Sequence, residues 1–257
     1  MSNRRRVHRS GVERYGPLMR VIEICRFPVK SIGGETLLTA DVTELGIVGD
    51  RGWSIYDVAT GNTLTARRSP DLLFASARIV DGDLVITLPD GTEVGASDHA
   101  AMSSWLGRDV EIRAAGDHNL EVGGTYEVPL DVENDAEWVS WEGPGGAFHD
   151  SNRTRVSLVS AATLREWDRR RFRTNVIVDG EGEDDFVGSR IVVGDTLLDV
   201  TKQVDRCVMI TRPQPGLDRD LEVLKVINAE RATFLAIGCL VLTPGRIALG
   251  DEVRAAS

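Results

Sequence analysis

Five short stretches of this 257-residue chain hold residue types able to do chemistry. In Val204-Asp205-Arg206-Cys207-Val208-Met209-Ile210-Thr211, a thiol follows a fixed cation and precedes an apolar run suited to a strand. Such a cation lowers a thiol pKa, which would suit Cys207 to metal ligation or nucleophilic attack. A buried apolar filler is the competing reading. Lys30-Ser31, after Pro28 and before Gly33-Gly34, joins an ammonium, a hydroxyl and glycine-freed amides, the donors that hold phosphate; a surface turn accounts for them equally. Asp50-Arg51 and Thr65-Ala66-Arg67-Arg68 offer planar guanidinium forks for phosphate, or simply surface ion pairs. Arg169, Arg170, Arg171 and Arg173 require counter-anions, either a ligand or carboxylates such as Asp184 and Asp185. Asn175, close by, presents both donors and an acceptor suited to a heterocycle edge.

Several chemistries find no support. No Gly-x-Gly-x-x-Gly follows a strand pattern, and there is no Walker-type loop, no His-Glu-x-x-His and no Gly-x-Ser-x-Gly. His8, His99, His118 and His149 do not cluster. Cys25, Cys207 and Cys239, three in number and irregularly spaced, give neither a disulfide framework nor a zinc pattern. A reducing, cytoplasmic setting is expected. The formal net charge of −10 argues against broad nucleic-acid binding but allows an anionic ligand where cations gather. The longest strongly apolar run, Phe234 to Leu242, is too short to span a bilayer and reads as a buried strand. Residues 1–18 hold five arginines and no apolar stretch, so a loose basic tail is expected there, not a secretory signal.

The elements that must position these residues are mostly strands. Strand patterns cover Met19 to Phe27, Thr36 to Val42, Trp53 to Asp57, Ala77 to Val80, Leu84 to Leu88 and Val110 to Arg113. Ser69-Pro70-Asp71 reads as a capped helix start, and Ser97-Asp98 caps a short helix that Gly107 stops. Residues 114–146, rich in Gly and acids and containing Pro129, read as irregular: a linker, a lid-like loop or a variable surface loop. Further strands are expected at Arg155 to Val159, Asn175 to Val178, Ile191 to Val193, Thr196 to Thr201, Cys239 to Leu242 and Ile247 to Leu249. A helix is expected over Ser160 to Arg170, with Thr163 and Glu166 at capping-box spacing, and another carrying Leu221, Leu224 and Ile227 on one face. Cys25 and Cys239 read as core filler. Short strands that do not alternate with long helices predict a β-rich α+β or barrel-like protein.

The motifs together resemble one family. Pro28 to Glu35, Gly46 to Arg51, Leu64 to Arg67 and Pro70 resemble the N-terminal β-barrel region of MOSC proteins, named after the C-terminal part of molybdenum-cofactor sulfurases. Phe148-His149-Asp150, Arg171 to Asn175, Arg206-Cys207, Pro244-Gly245 and Gly250-Asp251 resemble the MOSC domain itself. The layout is similar to the amidoxime-reducing component and to bacterial reductases of N-hydroxylated bases. The resemblance implies a MOSC-type β-barrel over residues 116–257, with its linker at about 116–146, and a smaller barrel-like region over 19–115. It implies a molybdenum cofactor with Cys207 as protein ligand to the metal. Lys30, Ser31 and Arg51 would hold its phosphate, Arg173 and Asn175 its pterin, and Ser160 and Arg206 would complete the set. The implied activity is oxygen-atom removal from N-hydroxylated (or N-/S-oxide) substrates, with electrons from a separate reductase and no nucleic-acid or membrane partner. The alternative is a carrier of cofactor, or of sulfur as a Cys207 persulfide. Three positions depart from the family pattern: Thr174 where proline is usual, Asp205 before Arg-Cys, and Leu235 to Gly238 in place of Phe-Gly-x-Tyr.

Overall fold

A computed structural model of the chain describes residues 19–115, 122–129 and 138–256; the basic N-terminal stretch lies outside them. Seven strands close into a barrel. Met19–Arg26, Glu252–Ala255, Arg190–Val193, Thr196–Asp205, Phe234–Thr243, Val156–Ser160 and Val176–Val178 follow one another around it, and the last pairs back on the first. Closure leaves no free edge in the ring. Its interior is aliphatic, built from residues such as Ile24, Leu158, Ile191, Leu198, Val200 and Ile237. The first strand shows how the pattern is made. Met19 and Val21 point inward, a register shift falls between Val21 and Glu23, and the next inward residue is Ile24. Glu23 and Cys25 are thereby turned to the outer face of the barrel.

The smaller lobe packs several short sheets. Trp53–Asp57 pairs with Val110–Ala114, and Ser76–Val80, Asp83–Thr87 and Glu93–Gly95 form a meander. Their apolar faces meet Leu72 and Met102 in a second core. Thr39–Thr43 pairs with Gly245–Ala248, so the C-terminal part of the chain is stitched to the N-terminal part. A third core lies where the helix Glu222–Arg231 sets Val223 and Ile227 against Phe172, Ile210 and Leu235.

The β-rich expectation and most strand positions hold, with five differences. The apolar run Val208–Thr211 is a 3-10 turn, not a strand: Arg206 N donates to Thr233 O at 2.9 Å, and then Ile210 N turns back onto Cys207 O at 3.3 Å. The helix after Ser160 spans only Ala161–Leu164, because Arg165 takes a left-handed backbone (φ 54°). Its cap is Ser160 Oγ, which accepts from Thr163 N at 3.1 Å, so the Thr163–Glu166 capping box does not form. Ser69 and Asp98 precede helices without capping them through their side chains, and Pro70–Phe74 is a 3-10 helix. Within the stretch read as irregular, Val122–Pro129 and Trp138–Pro144 pair antiparallel. Gly123-Gly124 masked that pattern, and the register shift between Val122 and Thr125 falls on them.

Candidate functional site

The longest barrel strands are Thr196–Asp205 and Phe234–Thr243, and Cys207 lies just beyond the end of the first. There the chain leaves the barrel toward the smaller lobe. The Cys207 thiol looks into a cleft of about 160 Å³ lined by both lobes, with Arg51, Arg67, Arg155, Arg173, Lys202 and Arg206 as its cations. Asp150 and Asp205 are its carboxylates, so positive charge is in excess. A smaller cavity of about 50 Å³, lined by Lys30, Ser31, Thr65, Arg67 and Cys207, shares its walls.

Arg67 Nε donates to Cys207 Sγ at 3.5 Å. Burial lowers the Arg67 pKa, but Cys207 and Asp150 outweigh it and the net direction is upward. The cation in contact with the sulfur is therefore Arg67, 140 positions away in sequence. The adjacent Arg206 spends its donors on the scaffold: Leu235 O at 2.7 Å, Phe172 O at 2.8 Å and Thr174 Oγ1 at 3.3 Å. Burial pushes Arg206 down to about 10, against the pull of Cys207 and Asp205. Thr174 thus gives Arg206 a side-chain acceptor that a proline at this position would lack. Asp205 pairs with Lys202 at 2.8 Å and is mostly exposed.

Lys30 is buried and reaches Asp150 Oδ1 at 2.5 Å and Phe148 O at 3.2 Å. Desolvation lowers its pKa, partly opposed by Asp150. Enclosure raises the Asp150 carboxyl, but Lys30 and Arg67 hold it well below the usual range; with 63% of the side chain exposed, solvent screens part of that effect. Ser31 has φ 67°, and its hydroxyl accepts from Ala66 N at 3.0 Å, which ties the lysine turn to the segment bearing Arg67. Arg51 bonds the buried Asp50 carboxylate and donates to Arg173 O at 3.3 Å. Asp50 Oδ1 also takes Phe27 N at 2.7 Å.

Arg173 donates to Ile32 O and to Val29 O, and its guanidinium stacks 4.4 Å from the Phe27 ring. Burial, then the Arg51 charge, pushes it down to about 9, so it remains cationic at neutral pH. It lines the cleft and braces the turn that carries Lys30 and Ser31. Asn175 lines the cleft as well, but its carbonyl takes Ser157 N and Oγ and its amide reaches Cys25 O.

The structure thus brings Lys30, Ser31, Arg51, Arg173, Asn175, Arg206 and Cys207 to adjoining cavities. Ser160 lies outside both, fully buried as a helix cap. The arginine run divides. Arg169 pairs with Glu23, Arg170 with Asp168, and Arg171 with carbonyls of Ile210, Arg212 and Asp218, while Asp184 pairs with Arg231. Asp150, Arg67, Asp50 and His149 complete the site. Their motifs are visible in sequence, but their partners are distant and no local signal supplies them. Cys239 is fully buried and desolvation raises its thiol to about 12, as a core residue should be. Cys25 is not core: it faces outward, half-buried, and donates to Glu23 at 3.1 Å.

A closed barrel with a thiol at one end, under a cationic cleft roofed by a second β-lobe, defines the class of protein. Residues 18–139 match the MOSC N-terminal beta barrel domain and residues 143–254 the MOSC domain, and the chain belongs to that family. Among solved structures, it is similar to the YuaD protein of Bacillus subtilis at 14% identity, with 93% of this chain and 95% of that one covered and a TM-score of 0.47. YiiM of Geobacillus stearothermophilus follows at 18% identity, 52% and 72% coverage and a TM-score of 0.33. YiiM of Escherichia coli has 14% identity, 51% and 70% coverage and a TM-score of 0.32. No curated protein sequence matches significantly. Among the described residues no helix is long and apolar enough to cross a membrane.

Proposed function

We propose that this MOSC protein is an oxidoreductase that binds a molybdenum cofactor and reduces N-hydroxylated substrates, or N- or S-oxides, with electrons from a separate reductase. The observation that carries the reading is Cys207 Sγ in contact with Arg67 Nε, at the wall shared by the cationic cleft and the lysine-lined cavity. The donor set fits the group. One soft sulfur ligand suits a thiolate-bound transition metal, and the surplus of guanidinium and ammonium groups suits its phosphate. When bound, the cofactor supplies two-electron oxygen-atom transfer.

The chain's own residues supply binding and orientation. Lys30 and Arg51 provide the cationic donors for the phosphate, and the Lys30–Asp150 pair keeps the ammonium aimed into the cavity until an anion competes for it. Arg67 Nε donates to Sγ and fixes its direction. Arg206 does not reach out; it ties the Cys207 turn to the barrel end through Leu235 and Phe172. Arg173 holds the phosphate turn in place from behind.

The test is the molybdenum and pterin content of purified wild type and Cys207→Ala, followed by turnover of an N-hydroxylated compound with a chemical reductant. Near-stoichiometric metal in wild type and its loss in the variant are expected. Equal metal in both would refute the ligand role. Bound cofactor with no turnover would instead favour the carrier reading.

A further inference from the structure

A second cavity lies behind the cleft, between the lobes, with a volume of about 730 Å³. That is within the range of small-molecule sites, and domain junctions are where such sites concentrate. One wall is the outer face of the barrel, with Cys25, Ile177 and Thr174; the other is the small lobe, with Leu73, Phe74 and Leu88. The bulge in the first strand, which turns Glu23 and Cys25 outward, places them on this wall. Phe27 and Arg173, stacked at 4.4 Å, partition the cavity from the cofactor cleft, and Cys207 does not line it.

The chemistry of the walls selects the ligand. Each charged group on these walls already has an ion-pair or hydrogen-bond partner within the protein. Glu23 pairs with Arg169, Arg170 with Asp168, and Glu35 with Arg26, while the guanidinium of Arg173 bonds backbone carbonyls. Burial, then the Asp50 charge, raises the Cys25 thiol to about 11, so it contributes no charge. The remaining surface is mainly apolar, with Phe27, Leu73, Leu88, Pro89 and Ile177. One buried side chain of the lining is unspent: Gln214 is about nine-tenths buried, and its Nε2 finds no acceptor in the protein. An unmet buried donor is costly, and a ligand acceptor would relieve it.

We propose that this inter-lobe cavity binds a neutral, largely apolar small molecule carrying a carbonyl-type acceptor, at a site distinct from the cofactor cleft. The proposal rests on the cavity alone and stands or falls separately from the molybdenum reading.

The probe is 6-propionyl-2-(dimethylamino)naphthalene, a neutral aromatic ketone whose emission shifts blue in apolar surroundings, titrated into the full-length protein. Saturable one-site binding with a blue shift is expected. Thr36→Trp fills the cavity from a strand position open to solvent, so the fold should tolerate it, and it should weaken binding about tenfold or more. Thr36→Ser and Cys207→Ser should bind as wild type does, and Gln214→Leu should weaken binding several-fold. Circular dichroism confirms that each variant is folded. Absence of saturable binding, undiminished binding in folded Thr36→Trp, or loss of binding in Cys207→Ser would overturn the assignment. Equal affinity for a sulfonated naphthalene would overturn the neutral-ligand class.

Discussion

His149 links the cleft to the pH dependence of stability in a way that can be measured. The residue is 4% exposed, its Nε2 lies 3.1 Å from Leu45 O, and Arg51 and Arg155 are near. Because the carbonyl can only accept, Nε2 carries the proton of the neutral ring and an added proton must go to Nδ1. Burial first, and then the Arg51 charge, push the pKa from 6.5 to about 4, with Asp50 and the Leu45 carbonyl opposing. The unfolded chain takes up a proton as pH falls through about 6.5, while the folded chain does so only near 4. His149 therefore costs nothing above about pH 6.5. Stability falls as pH drops across the window and levels off below 4. At about 1.4 kcal/mol per pH unit the full loss is about 3 kcal/mol. Most of it is reached by pH 4.5, equivalent to roughly 5–10 °C in Tm for a chain of this size. The assay is chemical denaturation at several pH values for wild type and His149→Gln, whose amide can still donate to Leu45 O. Comparing the two cancels the carboxylates, which titrate in both. The variant should lose about 2–3 kcal/mol less than wild type between pH 7 and 4.5. Parallel curves would refute the assignment of a neutral, desolvated imidazole.

Two further changes probe binding and folding. Lys30→Met removes a buried ammonium whose desolvation is only partly offset by an exposed Asp150, so thermal unfolding should show unchanged or slightly raised stability. Equilibrium binding of the proposed phosphate-bearing cofactor should weaken by about 10- to 100-fold, the value of one charge-assisted hydrogen bond. Gly34→Ala would place a methyl 2.2 Å from Arg26 O and 2.6 Å from Phe27 Cδ1. It should destabilise by about 1–3 kcal/mol in denaturant titration and, by displacing the ring on which Arg173 stacks, weaken cofactor retention as well.

The strands were legible because burial writes itself as alternation or as short apolar runs. Val176–Val178 and Leu235–Cys239 are buried throughout and read as strands at once. What failed was decided by single backbone angles or distant partners. Nothing local marks Arg165 as the end of a helix, yet its positive φ ends the helix there. The apolar run after Cys207 has strand composition, yet a hydrogen bond to Thr233 ends the ladder just before it. In the site the cations were visible as types, but not their assignment. Arg206 adjoins the thiol in sequence and points away from it, whereas Arg67 touches it across the lobes. Ser160 fits a motif and serves a helix. Sequence adjacency is a poor guide here, because a residue at the end of a barrel strand meets partners from other strands before its own neighbours.

The cleft also carries backbone strain. Ser31, Arg51 and Arg173 all adopt positive φ, at 67°, 53° and 52°, without being glycine. Such conformations cost about 1–3 kcal/mol each when side chains are present, and they gather at sites that need a particular side chain at a particular point. Glycine would relieve the backbone at each position but remove the hydroxyl that accepts Ala66 N and the two guanidinium groups. The same residues are over-determined by their neighbours: Ala66 N on Ser31, Asp50 on Arg51, and the carbonyls of Val29 and Ile32 on Arg173. To this strain is added the burial of Lys30, Arg173 and Arg206, each with its pKa driven down by desolvation. A fold selected for stability alone would place apolar residues there. The cost makes sense if an anion completes the cleft, since its charge would offset the desolvated cations that the fold now holds in place by itself.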